Sequence, residues 1–213
     1  MTPKLVIFDC DGVLVDTEPM TDAILSANLT QHGLPISAHD IHVLFAGGTI
    51  EGVGIEATRR GATLQESWVD DIYAEIFAGL RKGVPVIEGV LDLIKAIDAA
   101  GIPRAIASNG PLPKMDISLA PSGLLDLFAG RIYSGHDHGP KPKPDMLQKI
   151  MADAGVSPAD TIMIDDMPAG FLAAKAAGVR CFGYVADGDP ARIGDTGAEP
   201  VTSMAQIAKA IGL

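Results

Sequence analysis

The sequence predicts an α/β fold: a doubly wound parallel sheet with an α-helical domain inserted after its first strand. From residue 85 to residue 213, short apolar runs alternate with segments of helical periodicity, and the connections between them are short. Such alternation requires parallel strands with helices on both faces of the sheet. Residues 17–84 show helical periodicity only. The predicted domains are therefore a Rossmann-like core, residues 1–16 and 85–213, and a helical domain, residues 17–84.

Apolar periodicity and helix-stopping residues predict the individual elements. The run Leu5–Phe8 is short and rich in strand formers, which predicts a buried first strand. In the insert, residues 66–82 keep apolar side chains at helical spacing and Gly83 ends the pattern. Shorter helices are predicted after Pro19, after Ser37 and over residues 50–60. The remaining predicted strands are 104–107, 131–134, 161–164 and 179–185, the remaining helices are 89–100, a short one after Pro113, 145–154, 168–177 and 203–211, and residues 135–144 are predicted to form a loop.

The formal net charge of the 213-residue chain is −11, and this acidic balance bears on its partners. Nucleic acid is disfavoured, because a phosphate backbone needs a basic face. A small phosphorylated metabolite remains a candidate, since one lysine and a bound metal ion can dominate the local field. The longest apolar runs are far shorter than a membrane span and no basic segment precedes an apolar one at the start. We therefore expect no membrane association and a cytoplasmic location, as a monomer or a small homo-oligomer.

The two cysteines, Cys10 and Cys181, each lie inside or beside an apolar strand-like run. This placement favours two small buried hydrophobic side chains over a disulfide.

Polar residues follow the predicted strands at the points where ligands bind in an open parallel sheet. Asp9 and Asp11 follow the first strand, and Gly12 lets the chain turn sharply and bring its N–H groups close to a ligand. Acids at such places also cap turns and helices. Two acidic pairs at separate strand ends, beside a loop that carries a lysine, favour a site instead. The three other places are Ser108/Asn109, the Lys141 loop and Asp165/Asp166.

Carboxylates without a softer ligand favour a hard cation, and Mg²⁺ is the usual one beside phosphate. With Mg²⁺ bound, Asp9 would keep one carboxylate oxygen for attack on phosphorus, which gives an aspartyl-phosphate. Asp11 would protonate the leaving alkoxide and later deprotonate the hydrolytic water. The residues expected to hold the phosphoryl oxygens during transfer are Ser108, Asn109 and Lys141.

Four stretches of the chain carry a family resemblance: residues 9–18 (DCDGVLVDTE), 108–110 (SNG), 141–145 (KPKPD) and 165–170 (DDMPAG). They are similar, in this order, to the four motifs of the haloacid dehalogenase-like (HAD) hydrolase superfamily, in its phosphatase and β-phosphoglucomutase-like branch with a small helical cap. The resemblance implies a HAD-like Rossmannoid core and phosphate chemistry, because the true dehalogenases lack the second acid that stands here as Asp11.

The resemblance also implies a role for each matching residue. Asp9 would be the nucleophile and Asp11 the acid/base, and Ser108 and Lys141 would bind phosphate. The implied ligands of Mg²⁺ are Asp9, the carbonyl of Asp11 and Asp166, with Asp165 acting through a water. Many relatives have Ser where Met167 stands, and this departure bears on the surroundings of the metal.

The sequence favours a phosphatase that acts on a sugar phosphate or a related acid, and it leaves three alternatives. A phosphomutase would need a second phosphate site on the helical domain, but Thr21, Ala46 and Ile50 stand where β-phosphoglucomutases have His, Lys and Arg. A phospho-accepting receiver module would carry its adjacent acidic pair after the first strand and would lack the helical insert. The third alternative is a catalytically weak relative that serves as a binding protein.

Three other features of the sequence are expected to have structural roles only. Lys141 rather than Lys143 is expected at the site, with Lys143 in solvent. Residues 136–138 (His-Asp-His) lack the further ligands that zinc prefers, so we expect a solvated loop. The aromatic residues of the 66–82 helix are expected to pack within the helical domain.

Overall fold

A computed structural model describes residues 2–45, 49–186 and 188–213. The chain divides into two compact units. We call the first the core unit; it comprises the chain up to Asp16 together with Pro85–Leu213. The second, the helical unit, is Thr17–Val84.

The core unit contains one six-stranded sheet whose strands are all parallel. The strand order is β3-β2-β1-β4-β5-β6, with β1 between β2 and β4. The strands are β1 Leu5–Phe8, β2 Arg104–Ser108, β3 Ile132–Ser134, β4 Thr161–Asp165, β5 Arg180–Tyr184 and β6 Glu199–Val201.

Eleven α-helices are assigned in the described residues, four in the helical unit and seven in the core unit. The helical unit holds α1 Glu18–Gln31, α2 Ala38–Phe45, α3 Ile50–Arg59 and α4 Trp68–Leu80. The core unit holds α5 Val90–Ala99, α6 Leu112–Leu119, α7 Leu124–Leu127, α8 Gly135–His138, α9 Asp145–Ala154, α10 Pro168–Ala177 and α11 Met204–Ile211.

The central strands are buried along their whole length, which explains their continuous apolar sequences. Phe8 of β1 pairs in register with Ile106 of β2 and with Ile164 of β4. The N–H of Asp9 then donates to the carbonyl of Ile164 at 2.9 Å. Because parallel strands in register end at the same edge, the residues that follow β1, β2 and β4 lie side by side.

The helical unit is held together by an apolar interior and by the hydrogen bonds of the buried side chain of Asn28. Asn28 of α1 is buried; its Oδ1 accepts from the indole N–H of Trp68 at 2.7 Å, and its Nδ2 donates to Glu75 at 2.9 Å. The rings of Tyr73 and Phe77 lie 5.9 Å apart on the same helix, α4. The expectation that these aromatic residues pack within the unit is confirmed.

The predicted fold class is confirmed, and three elements were not predicted: β6, α7 and α8. The sequence predicted five strands, and β6 is a sixth. It is three residues long and contains Pro200, which lacks a backbone donor and is tolerated because β6 is an edge strand. The expected loop 135–144 begins with the four-residue helix α8, whose start is capped by Ser134 Oγ accepting from the His136 N–H at 3.1 Å.

Three further expectations concern single residues and segments. Cys10 and Cys181 are free and buried, as expected. Among the helices of the described residues, none has both the length and the apolar character needed to cross a membrane. Ile50 is the first residue of α3, and Ala46 lies outside the described residues.

Candidate active site

Three buried carboxylates meet where β1 and β4 end. Asp9 follows β1, Asp165 is the last residue of β4 and Asp166 comes next. One oxygen of each lies within 4.8 Å of the others, and all three residues are buried. Like charges at this separation repel strongly in a desolvated site, so the cluster requires cations. Among the described residues it is the one group of three or more such ligands, and the histidines of α8 are not part of it.

Lys141 supplies one of those cations from the loop before α9. Its Nζ lies 2.8 Å from Asp9 Oδ1 and donates to Asp165 Oδ2 at 2.7 Å, and its side chain is 4% exposed. Burial by itself would lower the pKa of Lys141, but the two carboxylates outweigh it and the pKa is raised. The two carboxylates thus favour the charged form of Lys141. Lys143, by contrast, is exposed, as expected.

The surroundings of Asp9 disfavour the ionised form of its carboxyl group. Burial raises its pKa to about 7, the charges of Asp165 and Asp11 act in the same direction, and Lys141 only partly opposes them. One lysine thus falls short of balancing the cluster. A second, bound cation would favour the ionised form of these acids.

Two glycines allow the backbone to approach the acids closely. A Cβ atom on Gly12 would overlap the carboxylate of Asp166, and one on Gly170 would overlap the carboxylate of Asp165. Gly12 also has a φ of +80°, which favours glycine. Its N–H donates to the carbonyl of Val15 at 2.9 Å, so in this structure that group holds the turn.

The donor set fits a hard divalent cation. The cluster offers carboxylate oxygens from Asp9, Asp165 and Asp166, which are the ligands that such ions prefer. Asp165 Oδ1 also accepts from the N–H of Met167 at 2.9 Å. Met167 therefore contributes through its backbone, a contact that does not depend on which side chain stands at that position.

Ser108 and Asn109 lie at the end of β2, beside β1. Ser108 is buried, and its Oγ accepts from the Gly110 N–H at 3.1 Å. Asn109 contacts the backbone of Lys141 twice: its Oδ1 accepts from the Lys141 N–H at 2.7 Å, and its Nδ2 donates to the Lys141 carbonyl at 3.0 Å. The side chain of Asn109 is thus committed to the loop that carries Lys141.

Asp11 has a partner that the sequence did not indicate. Lys114, in the first turn of α6, donates through Nζ to Asp11 Oδ2 at 2.7 Å. Burial would lower the pKa of Lys114, but the adjacent Asp11 outweighs it and the pKa is raised. The only available signal was a lysine six residues beyond Ser108, at the start of a short predicted helix.

The structure brings the expected residues to one edge of the sheet. Asp9, Asp165 and Asp166 each have a carboxylate oxygen within 4.8 Å of the others. Lys141 contacts Asp9 and Asp165. Ser108 and Asn109 lie on the neighbouring strand end, and Asp11 is two residues beyond Asp9 in the loop after β1.

Comparisons with known proteins place this geometry in a family context. A family model described as haloacid dehalogenase-like hydrolase matches residues 3–178. The 6-phosphogluconate phosphatase of Escherichia coli is 30% identical over 187 residues, which cover 86% of this chain and 83% of that protein. Phosphoglycolate phosphatase 1 of Pseudomonas aeruginosa is 32% identical over 206 residues, or 85% and 71% of the two chains. A HAD family hydrolase from Deinococcus radiodurans, solved with bound phosphate and sodium, has a TM-score of 0.84 at 28% identity and covers 98% of this chain and 95% of its own.

Proposed function

We propose that this chain, which belongs to the haloacid dehalogenase-like hydrolase family, hydrolyses a phosphomonoester of a small metabolite with Mg²⁺ as cofactor and Asp9 as nucleophile. Its relatives include named phosphatases, and on this basis the chain is assigned as a phosphoric monoester hydrolase. The roles proposed for Mg²⁺ and for Asp9 rest on the buried carboxylate cluster, in which Lys141 lies between Asp9 and Asp165.

Asp9 begins the proposed reaction. One of its carboxylate oxygens attacks phosphorus, the bond from phosphorus to the ester oxygen breaks, and an aspartyl-phosphate forms. Asp11 gives its proton to the departing alkoxide. In the second step Asp11 takes a proton from water, the water oxygen attacks phosphorus, and the Asp9 carboxylate leaves as phosphate is released.

The remaining residues hold charge and geometry. Mg²⁺, when bound by Asp9, Asp166 and the Asp11 carbonyl, with Asp165 nearby, would offset the negative charge of the acids and of the phosphoryl group. Lys141 and Ser108 would face the phosphoryl oxygens, with Asn109 fixing the Lys141 loop and Gly12 keeping the β1 loop close to Asp166.

The substrate class follows from the relatives and from what the helical unit offers. Two relatives are named for 6-phosphogluconate and phosphoglycolate, so we propose a sugar phosphate or a related phosphorylated acid here. A phosphomutase remains the second candidate within the family. The hydroxyl of Thr21 donates to the carbonyl of Thr17 at 2.9 Å, within its own helix, which offers little to a second phosphate.

We propose that the helical unit is a cap that admits substrate and excludes bulk water during transfer. In this reading the domains are residues 1–16 with 85–213, and 17–84. We also propose that the partner is a small phosphorylated metabolite, with no nucleic acid or membrane partner, and that the protein is a cytoplasmic monomer or small homo-oligomer. The net charge of −11 disfavours nucleic acid and still permits a small phosphorylated ligand.

Phosphate release from a panel of esters tests the proposal. The panel contains sugar phosphates, phosphoglycolate, nucleotides and p-nitrophenyl phosphate, each with Mg²⁺ or with EDTA. We expect Mg²⁺-dependent release that is lost in Asp9→Asn and retained in Asp92→Asn, an exposed aspartate on α5. Release that survives EDTA or Asp9→Asn would contradict the mechanism. Conversion of a sugar phosphate to its isomer without phosphate release would favour the mutase.

A further inference from the structure

Lys114 forms an ion pair that joins the loop after β1 to helix α6. Its Nζ lies 2.7 Å from Asp11 Oδ2, across a sequence separation of 103 residues. The two side chains are 23% and 27% exposed, so the pair is largely shielded from water. A charge-assisted hydrogen bond at this distance is among the stronger and better oriented polar contacts in proteins.

The position of Lys114 is unfavourable for its own helix. It is the third residue of α6, which begins at Leu112, and the N-terminal turn of a helix disfavours a positive charge. A half-buried ammonium there also loses hydration. Asp11 is the partner that offsets both costs, so this lysine is explained by the acid it faces and not by the helix that carries it.

The pair also restricts how Asp11 can point. The backbone around Asp11 is fixed, because Gly12 N–H donates to the Val15 carbonyl and the Val15 N–H to the Cys10 carbonyl. The side chain is then anchored at Oδ2 by Lys114. Because the backbone of Asp11 and its Oδ2 atom are both held, the direction of the Asp11 carboxyl group is defined before any substrate binds.

We propose that Lys114 is a positioning residue, which holds the Asp11 carboxyl group in the orientation needed for proton transfer to the leaving group. The inference rests on the proposed phosphatase reaction. In that reaction the proton moves from Asp11 to the ester oxygen as the bond from phosphorus to oxygen breaks. Lys114 keeps its own proton throughout and donates a hydrogen bond to the oxygen of Asp11 that does not carry the proton.

Esters with different leaving groups distinguish this positioning role of Lys114 from a merely structural role. The alkoxide of an alkyl ester is a strong base and needs the proton from Asp11 in order to leave. The p-nitrophenolate of the aryl ester leaves as a stable anion without that proton. A residue that acts through Asp11 therefore matters for the first class and much less for the second. General acid catalysis typically contributes 10²–10⁴-fold, so partial misorientation is expected to cost about 10- to 100-fold.

The test is single-turnover release of the leaving group, with enzyme in excess, for phosphoglycolate and for p-nitrophenyl phosphate. The variants are Lys114→Met, Lys114→Arg, Asp11→Asn and the double variant Lys114→Met/Asp11→Asn, with Lys143→Met as the exposed control. We expect Lys114→Met to lose about 10- to 100-fold on the alkyl ester and less than about 3-fold on the aryl ester. Lys114→Arg should recover part of the loss. The double variant should be no slower than Asp11→Asn alone.

Four outcomes would overturn the inference. Equal losses on both esters would indicate a structural role, and so would full additivity with Asp11→Asn. A higher half-saturating enzyme concentration for phosphoglycolate, with its maximal single-turnover rate unchanged, would instead make Lys114 a ligand of the substrate carboxylate. Each of these leaves the phosphatase assignment intact, because the wild type still turns over. Failure of the wild type on every ester would overturn the proposed function and this inference together.

Discussion

The side-chain amide of Asn109 brackets the backbone of Lys141. Asn109 Oδ1 accepts from the Lys141 N–H at 2.7 Å, and Asn109 Nδ2 donates to the Lys141 carbonyl at 3.0 Å. Only a primary amide offers a donor and an acceptor in this geometry. The end of β2 thereby sets the position of the lysine that lies between Asp9 and Asp165.

Removal of this amide is expected to loosen the Lys141 loop. Asn109→Ala should lower the free energy of unfolding by about 1–3 kcal/mol, because two hydrogen bonds to a buried residue are lost together. The same variant should lose phosphatase activity. Urea unfolding and phosphate release measure the two effects. Gln148→Ala, which removes an exposed amide on α9, serves as the control, and an equal loss there would show that the contact itself is unimportant.

Neutralisation of the buried lysine is expected to cost more. Lys141→Met leaves Asp9 and Asp165 without their shared cation, and breaking a buried ion pair typically costs about 3–5 kcal/mol. Lys143→Met, two residues away and exposed, should be nearly neutral. Denaturant unfolding in EDTA compares them. Similar values for the two variants would contradict the charge balance described here.

The metal-free protein should gain stability when Asp9 loses its charge. The pKa of Asp9 is raised from 3.8 to about 7 in the folded state, so between these pH values the folded protein binds more protons than the unfolded chain. Its stability therefore falls as pH rises through this interval and levels off above it. Asp9→Asn avoids this loss and should be more stable than the wild type at pH 8 by up to about 4 kcal/mol.

Thermal unfolding in EDTA across pH 4–8 measures this difference. It should be small at about pH 4 and should widen up to about pH 7. With Mg²⁺ in excess the order should reverse, since the bound cation stabilises the ionised wild type. A difference that does not change with pH would show that burial of the Asp9 charge is not its cause.

One methyl group beside Asp165 is expected to disturb the cluster. A Cβ at Gly170, the third residue of α10, would overlap the Asp165 carboxylate, so Gly170→Ala should lose about 1–3 kcal/mol and weaken metal binding. Gly52 is the third residue of α3 and has room for a methyl group. Gly52→Ala should gain up to about 1 kcal/mol. Unfolding with and without Mg²⁺ tests both, and a neutral Gly170→Ala would refute the steric argument.

The parts of the site that the sequence predicts share a physical cause. Asp9, Ser108 and Asp165 stand directly after, or at the end of, apolar runs that can only be buried strands, and strand ends in a parallel sheet meet at one edge. Their proximity therefore follows from local patterns together with one topological rule. Helical periodicity likewise predicts α9 and α10, whose ends are marked by Gly155 and Gly178.

Other parts depend on information that no local pattern contains. β6 is three residues long and exists because β5 offers it an edge to pair with, so its sequence carries no strand periodicity of its own. The pairing of Lys114 with Asp11 joins residues 103 positions apart, and the lysine stands where helix electrostatics disfavours it. The commitment of Asn109 to the Lys141 backbone likewise needs the folded loop. Each feature arises from tertiary contact.

The buried hydrogen bond from Trp68 to Asn28 has a spectroscopic consequence. Trp68 is the sole tryptophan of the chain, and it lies in the helical unit. Intrinsic tryptophan emission therefore reports the state of Thr17–Val84 alone, while the core unit is silent in this channel and must be followed by circular dichroism. The chain thus carries its own fluorophore for asking whether its two units melt together or one after the other.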